Sequence, residues 1–501
     1  MSAVTTVPVN SDVVSDRPAV DTQVSVLVLA WSAEQPSRVG EIAILPDGET
    51  QVLGRGQGED DQARTTFQQQ RPGVLHPGPP LEGAGLSRRQ LVLRASGGVV
   101  EVISVGQCPL RVNGAPCRHA ILRPGDTLHL RRQLVVLHVR RPVLIPLGRH
   151  FPARLWGEFG AADALGMLGE SHATWLLREQ LAFAAKSAHH TLLVGASGSG
   201  KELAARAIHA MSDRSSNGFV ARNAATLPAA LIDAELFGNA KSYPNAGMPE
   251  RPGLIGQANG GTLFLDELAE LPVEQQVHLL RVLDAGGEYQ RLGESTTRSS
   301  NFLLVGATNR DPAVLKHDLR ARLTSTIEIA PLSSRREDIP LLARHLLLNA
   351  AQQRPELAAR FVDTSSEGRR HARFAPAFVE YILHQPLEMN TRELEAILWK
   401  AISDGHRDEL EPPADARNQA AAAPADARNQ AAAAPSDVPP ESGPGEPRRV
   451  FQDAVDDFER RGIEAALAQS GGNKTRAAEI LGMPLRTLMW KLKRYSEKDK
   501  S

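Results

Sequence analysis

A glycine-rich run that ends in lysine lies between an apolar segment, Thr191–Val194, and a segment of helical periodicity beginning at Glu202. Its residues Gly195, Ser197, Gly198, Ser199, Gly200 and Lys201 fit the spacing G-x-x-x-x-G-K. Glycines at such positions let consecutive backbone N–H groups turn inward around phosphate oxygens. A helix opening directly behind them adds partial positive charge. Lys201 then stands where an ammonium reaches the outer phosphates of a nucleotide. Glu202 takes the place at which a hydroxyl residue commonly follows the lysine. A glycine-rich connection without a ligand has a similar composition; strand, loop, lysine and helix in that order favour the phosphate reading. Further along, the apolar run Thr262–Leu265 ends in Asp266 and Glu267. A carboxylate at a strand's carboxyl end beside a phosphate loop can hold Mg²⁺, and its neighbour can orient an attacking water.

The elements needed to position these groups are legible as periodicity. From about 165 to 332, apolar runs such as TLLVGA, GGTLFLDE and NFLLVGATN alternate with helical stretches, as in a parallel α/β sheet. Helical periodicity then dominates to about 410, which predicts a helical lid. The resulting divisions are an α/β core over 161–333 and a lid over 334–411. Ahead of them, 23–143 carries short β-branched runs (QVSVLVLAW, GGVVEVISV, RRQLVVLHV) punctuated by PDGE, SGG, VNGAP and RPGD, as in a β-sandwich. Residues 1–22 read as a loose polar terminus, and the Gln-, Gly- and Pro-rich stretch 58–80 as a long loop. The tandem PADARNQAAAA units within 412–448 offer almost no large apolar side chain and predict a flexible linker. Residues 449–497 resume helical periodicity, with two short helices joined at Gly482-Met483-Pro484. The fold class is thus multidomain: β-sandwich, α/β core with helical lid, then an all-α module.

Composition narrows the functional classes. The 501 residues carry 57 Lys+Arg against 58 Asp+Glu, which excludes a uniformly basic nucleic-acid coat. Two cysteines exclude a disulfide framework and a four-thiolate zinc site, which suits a reduced, cytoplasmic chain. No apolar run reaches the roughly 18 residues of a membrane helix. Charge is nevertheless uneven. From Gly471 to Ser501 there are 8 Lys/Arg and 3 Asp/Glu. A wheel of the last helix sets Leu488, Leu492 and Tyr495 opposite Arg486, Trp490, Lys493 and Arg494. A packed face opposite a basic one suits a DNA backbone or major groove, although a solvated helix carries similar charge.

Three resemblances extend this reading. The blocks GASGSGKELAARAIHAMS, NAATLPAALIDAELFG and GGTLFLDELAELPVEQQVHLLRVLD resemble the AAA+ domain of sigma-54-dependent transcriptional activators, over roughly 165–403. That family commonly has Glu at the position of Glu202. The resemblance implies ATP and Mg²⁺ as cofactors and ATP hydrolysis as the activity. Lys201 would bind phosphate with the loop, Asp266 would organise Mg²⁺ and Glu267 would activate water. Asn223 would restrain the catalytic glutamate, and Asn309 would sense the γ-phosphate. Arg322 would be an arginine finger acting on a neighbouring subunit, with Lys316 at a second basic position, and Arg392 would be a second sensor. Such a finger implies a homo-oligomer. Ser242–Gly247 (SYPNAG) stands where the family carries the GAFTGA loop that contacts sigma-54, and Pro244 replaces its aromatic residue. Proline fixes φ and removes a donor. Two functions therefore stand: a sigma-54 activator that works on RNA polymerase holoenzyme, or a sigma-54-independent nucleotide-responsive regulator or repressor.

The segment GGNKTRAAEILGMPLRTLMWKLKRY resembles a Fis-type helix-turn-helix. It implies DNA contacts from Asn473, Thr475, Arg476, Arg486, Thr487 and Lys491, at a palindromic site because such modules act as dimers. LGRG (53–56), LSRRQ (86–90) and VNG (112–114) resemble, in order, the signature of a forkhead-associated (FHA) domain. The resemblance implies that Arg55, Ser87, Arg88 and Asn113 bind a phosphothreonine protein, the product of a Ser/Thr kinase. Gln90 stands in place of that family's structural histidine.

Overall fold

The computed structural model describes residues 23–56, 63–284, 286–364 and 368–417, together with 473, 474, 476 and 489. The expected loose terminus (1–22), most of the linker and most of the 449–497 module lie outside the described residues. The chain divides into two units, Met1–Ala433 and Ala434–Ser501.

The amino-terminal part is built from antiparallel strands. They are β1 (Gln23–Ser32), β2 (Ile42–Leu45), β3 (Thr50–Leu53), β4 (Gln68–Arg71), β5 (Val74–Pro77) and β6 (Leu91–Ser96), followed by β7 (Val99–Ser104), β8 (Leu110–Val112), β9 (Ala115–Cys117), β10 (His119–Leu122), β11 (Thr127–Leu130) and β12 (Leu134–Pro142). One sheet runs β5-β4-β2-β1-β12-β11-β8-β9 and the other β10-β7-β6-β3. Leu27, Leu29, Leu53, Leu91, Leu93, Leu128 and Val136 fill one core between them, the arrangement of a β-sandwich. β1 and β12 are nearly continuous apolar runs because both of their faces are covered. Leu134 and Val136 face the sandwich core, while Val135 and Leu137 join a second core with the helical lid.

The expected loop at 58–80 is corrected in its second half. Gln68–Arg71 and Val74–Pro77 form an edge hairpin, and Phe67 is fully buried. Glutamine is a weak strand former, but here Gln70 Nε2 donates to the carbonyls of Pro142 (3.1 Å) and Val143 (2.8 Å). Long-range pairing therefore overrides local preference.

Beyond α1 (His172–Ser187), strands and helices alternate: β13 (Thr191–Val194), α2 (Lys201–Met211), β14 (Phe219–Asn223), α3 (Ile232–Phe237), α4 (Gly253–Gln257), β15 (Thr262–Asp266) and α5 (Val273–Leu283). A two-stranded ribbon, β16 (Glu288–Tyr289) with β17 (Arg298–Ser299), precedes β18 (Leu303–Thr308), α6 (His317–Arg322) and β19 (Ser325–Glu328). The five-stranded sheet β14-β15-β18-β13-β19 is parallel throughout. Leu193, Phe264 and Val305 pack on α1 and α2 on one face; Leu192, Leu263 and Leu304 pack towards α3 and α5 on the other.

The lid consists of α7 (Ile339–Gln353), α8 (Pro355–Ala358), a hairpin of β20 (Val362–Thr364) and β21 (Arg370–Ala372), α9 (Pro376–His384) and α10 (Thr391–Asp404). Leu347, Phe361, Phe378 and Leu398 are fully buried in its core. Replacing such a phenylalanine by alanine costs about 3–5 kcal/mol. The first residues of the expected linker are also corrected: Ala414 N donates to Asp404 (2.8 Å) and Lys400 pairs with Asp415 (2.6 Å), so 412–417 stays on the lid.

Candidate nucleotide site

Parallel pairing places the ends of β13, β15 and β18 side by side, with Val194 opposite Thr308 and Asn223 opposite Asp266. The carboxyl edge of a parallel sheet is where such folds bind ligands. Between β13 and α2 the loop turns through positive φ at Gly198 (72°) and Gly200 (104°). Gly198 also has no room for a side chain, because a Cβ there would lie 2.3 Å from the Met389 carbonyl oxygen. Lys201 is 7% exposed, and its Nζ donates to the carbonyls of Gly195 (2.9 Å) and Ala196 (3.3 Å). Ser199 Oγ is buried without a hydrogen-bond partner among the described residues. A buried ammonium resting on its own loop, beside an unpaired hydroxyl, fits a phosphate ligand.

Asp266 and Glu267 are half-buried at the end of β15. Asp266 Oδ1 accepts the Glu267 amide at 3.0 Å, and Glu267 is left-handed (φ 53°). Asn223 lies next to Asp266 in register, but its Oδ1 caps the following turn through Ala225 N (2.9 Å). No hydrogen bond joins it to Glu267 among the described residues. Asn309 is exposed just past β18, beside Arg310, which pairs with Glu270 at 2.6 Å. Glu202 is exposed and pairs with Arg206 at 2.8 Å. Arg322 is exposed and holds Asp284 at 2.6 Å; Lys316 caps α6, its amide donating to Gln276 Oε1 at 3.0 Å. The structure thus gathers the loop, Asp266, Glu267 and Asn309 at one sheet edge, while Arg322 and Lys316 sit around α6.

The lid reaches this loop directly. Arg392 Nη1 donates to Ser197 Oγ (2.8 Å), and Thr391 Oγ1 donates to the Gly198 carbonyl (2.6 Å). Fully buried Asn390 accepts from Leu332 N (2.7 Å) and donates to the Ser197 carbonyl (3.0 Å). Arg335, 7% exposed, donates to Thr174 Oγ1 (3.1 Å) and to the Ser199 carbonyl (3.5 Å). Burial lowers its pKa from the ordinary value, and Asp338 opposes that shift. Sequence reasoning missed Asn390, Thr391 and Arg335 as loop partners. Asn390 had a signal as a short polar residue at a helix start; Arg335 had none.

In the sandwich, Arg55 N donates to the Ser87 carbonyl (3.1 Å), and Ser87 Oγ accepts from Gln107 N (3.1 Å). Fully buried Gln90 accepts from Ser87 N and Cys108 N (3.3 Å each) and donates to the Cys108 carbonyl (2.8 Å). Its amide ties two loops together, which a neutral imidazole with one donor and one acceptor would do less fully. Arg55 and Arg88 are exposed, and neither guanidinium forms an ion pair among the described residues. Asn113 forms its side-chain hydrogen bonds elsewhere. It sits in the β8–β9 turn (φ 49°), with its amide engaged by Asp126, Thr127 and His384 of the lid.

At Ser242–Gly247 the loop folds onto itself. Ser242 N donates to the Met248 carbonyl (2.9 Å), and Asn239 Nδ2 donates to the carbonyls of Ala240 and Pro249 (3.0 Å each). Tyr243 packs against Gly293 so closely that a Cβ there would meet its ring. In the second unit, Asn473, Lys474 and Arg476 are exposed, and Arg476 N donates to Asn473 Oδ1 (3.3 Å). Thr475, Arg486, Thr487 and Lys491 lie outside the described residues.

The parallel sheet, its phosphate loop and the helical lid together define an AAA+ domain. A family profile described as "Sigma-54 interaction domain" matches residues 167–333, and one described as "Bacterial regulatory protein, Fis family" matches 454–495. The chain is 35% identical over 344 residues to the transcriptional regulatory protein ZraR of Salmonella typhimurium, covering 67% of this chain and 70% of that one. It is 33% identical to the response regulator protein PilR of Pseudomonas aeruginosa (66% and 69% covered) and 33% identical to the DNA-binding transcriptional regulator NtrC of Proteus hauseri (66% and 70%). Among solved structures, NtrX of Brucella abortus aligns over 66% of this chain and 69% of its own, with 27% identity and a TM-score of 0.43. The chain belongs to the sigma-54-dependent transcriptional regulators, with an AAA+ domain and a Fis-type DNA-binding module. Among the described residues, no helix is long and apolar enough to cross a membrane.

Proposed function

We propose that this chain is an ATP-hydrolysing regulator whose amino-terminal sandwich reads phosphothreonine. The observation that carries the ATPase reading is the loop itself, with Lys201 buried against it and Ser199 Oγ unpaired. A triphosphate entering the cradle takes Lys201 from the Gly195 and Ala196 carbonyls. Asp266 would hold Mg²⁺, which when bound would supply positive charge against the phosphates. Glu267 takes the proton from the attacking water, and Asn309 orients near the outer phosphate. Arg392, already on Ser197 Oγ, adds positive charge from the lid. Arg322 acts on a neighbouring copy's nucleotide after release from Asp284, which makes the working form a homo-oligomer. Isothermal titration with Mg²⁺ and ATP tests this reading; absence of heat would end it.

The phosphothreonine reading is supported by two exposed arginines at the Ser87 loop, Arg88 within it and Arg55 bonded to it through its amide, since a phosphate carries about −1.5 to −2 charges. DNA binding by Asn473, Thr475, Arg476, Arg486, Thr487 and Lys491 is tested by Arg476→Ala with Lys491→Ala. Affinity should fall for all sequences and the salt dependence should flatten by about two phosphate contacts; unchanged binding would overturn the assignment.

The second reading, a sigma-54-independent regulator, is favoured by the folded-back Ser242–Gly247 loop, whose aromatic ring sits on Gly293. Purified protein mixed with sigma-54 and an ATP transition-state analogue separates the two. A stable complex supports the activator; ATPase activity without a complex supports the alternative.

A further inference from the structure

The sandwich and the lid share one hydrophobic core, and two arginines of the sandwich reach across to Glu170 ahead of α1. Ala30, Val135 and Leu137 pack with Ala343, Leu347, Phe378 and Leu383, and Trp31 Nε1 donates to the Phe374 carbonyl at 2.8 Å. At the edge of this core, Arg141 of β12 is 2% exposed. Its Nη2 donates to the Glu170 carbonyl at 2.8 Å, and its Nη1 lies 3.6 Å from Glu337. Arg71 of β4 grips the same residue from its side chain, Nη2 to Glu170 Oε1 at 2.8 Å.

Glu170 is the last residue but one before α1, and it leads to the phosphate loop through one polar cluster. The Glu170 and Ser171 amides donate to Asp338 Oδ1 (2.8 and 2.9 Å), and Thr174 Oγ1 donates to Asp338 Oδ2 (2.6 Å). Asp338 is fully buried. Arg335 donates to the same Thr174 hydroxyl and reaches the Ser199 carbonyl of the phosphate loop. Arg141 is thus three side chains from the loop.

Stability alone is a poor account of Arg141. Its Nε is buried without a partner, and a buried ion pair is often no more stable than apolar residues of the same volume. What a two-pronged guanidinium adds is a fixed geometry between the sandwich and the start of α1. We propose that Arg141 is a positioning residue through which the sandwich sets the geometry of the phosphate loop, by way of Glu170, Asp338 and Arg335. The inference rests on the reading of that loop as a nucleotide site, and it gives the sandwich a physical route to the ATPase. Anything that loosens the sandwich from the lid then changes nucleotide affinity without touching the loop.

The test uses the full chain and two readouts. Fluorescent ADP titration should show affinity weakened about 5–10-fold in Arg141→Met and only partly restored in Arg141→Lys, whose ammonium keeps the charge but loses the fork, within the usual span of coupling between sites. The Arg141→Met effect should shrink when Arg335→Lys is already present, because the two act along one route. Hydrogen exchange of the nucleotide-free protein should rise at 195–203 in Arg141→Met. Unchanged affinity and unchanged exchange at 195–203, alongside a lowered melting temperature, would reduce Arg141 to a packing residue and overturn the proposal. Should Arg141→Met fail to fold, Glu337→Gln and Arg71→Lys probe the same junction with smaller changes, under the same two criteria. A wild-type chain that binds no nucleotide would end the ATPase reading, while the exchange data would still decide the coupling.

Discussion

Two corners of this molecule are proposed as phosphate sites, and they are built in opposite ways. The loop before α2 uses backbone amides and a lysine that is 7% exposed, and the lid closes on it through Asn390, Thr391 and Arg392. The sandwich corner uses side chains that are exposed, Arg55 and Arg88, on loops steadied from below by the buried Gln90 amide. In the first, main-chain geometry makes the site, and its lysine and lid residues are already bonded to the loop. In the second, the charges stand ready, and water screens them. The contrast teaches that burial sets how selective and how salt-sensitive a phosphate site is, since screened surface charges lose strength with ionic strength far more than buried ones.

Substitutions at each corner should expose that difference. Lys201→Ala is expected to have the largest effect, lowering ATP affinity more than about 100-fold, because a charge-assisted contact in a buried cradle is lost along with its long-range field; calorimetry in Mg²⁺ measures it. Next comes Arg55→Ala, expected to weaken a phosphothreonine peptide about 30-fold, for loss of about 2 kcal/mol in hydrogen bonds to a charged group. Fluorescence anisotropy at low and high salt checks it, and the wild-type peptide affinity should fall with salt more steeply than ATP affinity does. Equal salt slopes at the two corners would break the comparison. Gln90→Leu should leave ATP binding intact while lowering stability by about 1–3 kcal/mol, because the Ser87 and Cys108 amides lose their acceptor; denaturant titration reads the loss.

The smallest effect concerns acid. Burial pulls the His190 pKa down to about 4, with Arg214 and His189 adding to the shift, and its Nδ1 accepts from Leu304 N at 3.0 Å. The folded core therefore binds fewer protons than the unfolded chain between about pH 6.5 and 4, so this residue's contribution to stability is present above pH 6.5 and is lost as pH falls through that window. Glu337 works in the other direction: burial raises its pKa to about 7, so its folded form binds more protons and stability falls as pH rises from about 4.5 to 7. In His190→Gln the acid loss of melting temperature should flatten, while in Glu337→Gln stability should gain at neutral pH relative to pH 5. Calorimetry across pH 4–8 separates the two slopes.

Much of the candidate nucleotide site is legible in the sequence because its elements are local. The strand Thr191–Val194, the glycines and Lys201 are contiguous, and Asp266 with Glu267 ends a strand of plain apolar character. The arrangement of α1, Arg335, Asp338 and Glu170 was not legible, since its partners are separated by up to 168 positions and each residue type is common on surfaces. Asn113 shows what local pattern leaves out. Its context matches a signature, but nothing in that context foretells the bonds of its amide to Asp126, Thr127 and the lid's His384. The Gln68–Pro77 hairpin likewise has weak local propensity and exists because Gln70 finds carbonyls more than 70 residues away.

Sequence by itself determined the elements and the nucleotide chemistry, because periodicity records which face of an element is buried and because a phosphate loop needs only seven consecutive residues. Tertiary structure decided what those buried faces meet. The runs of β1 and β12 read as strands of a sandwich, but only the folded chain shows that one face of them meets the sandwich core and the other the lid. Burial is recorded along the chain as composition, whereas the identity of the partner is a property of long-range packing, which short-range pattern does not encode.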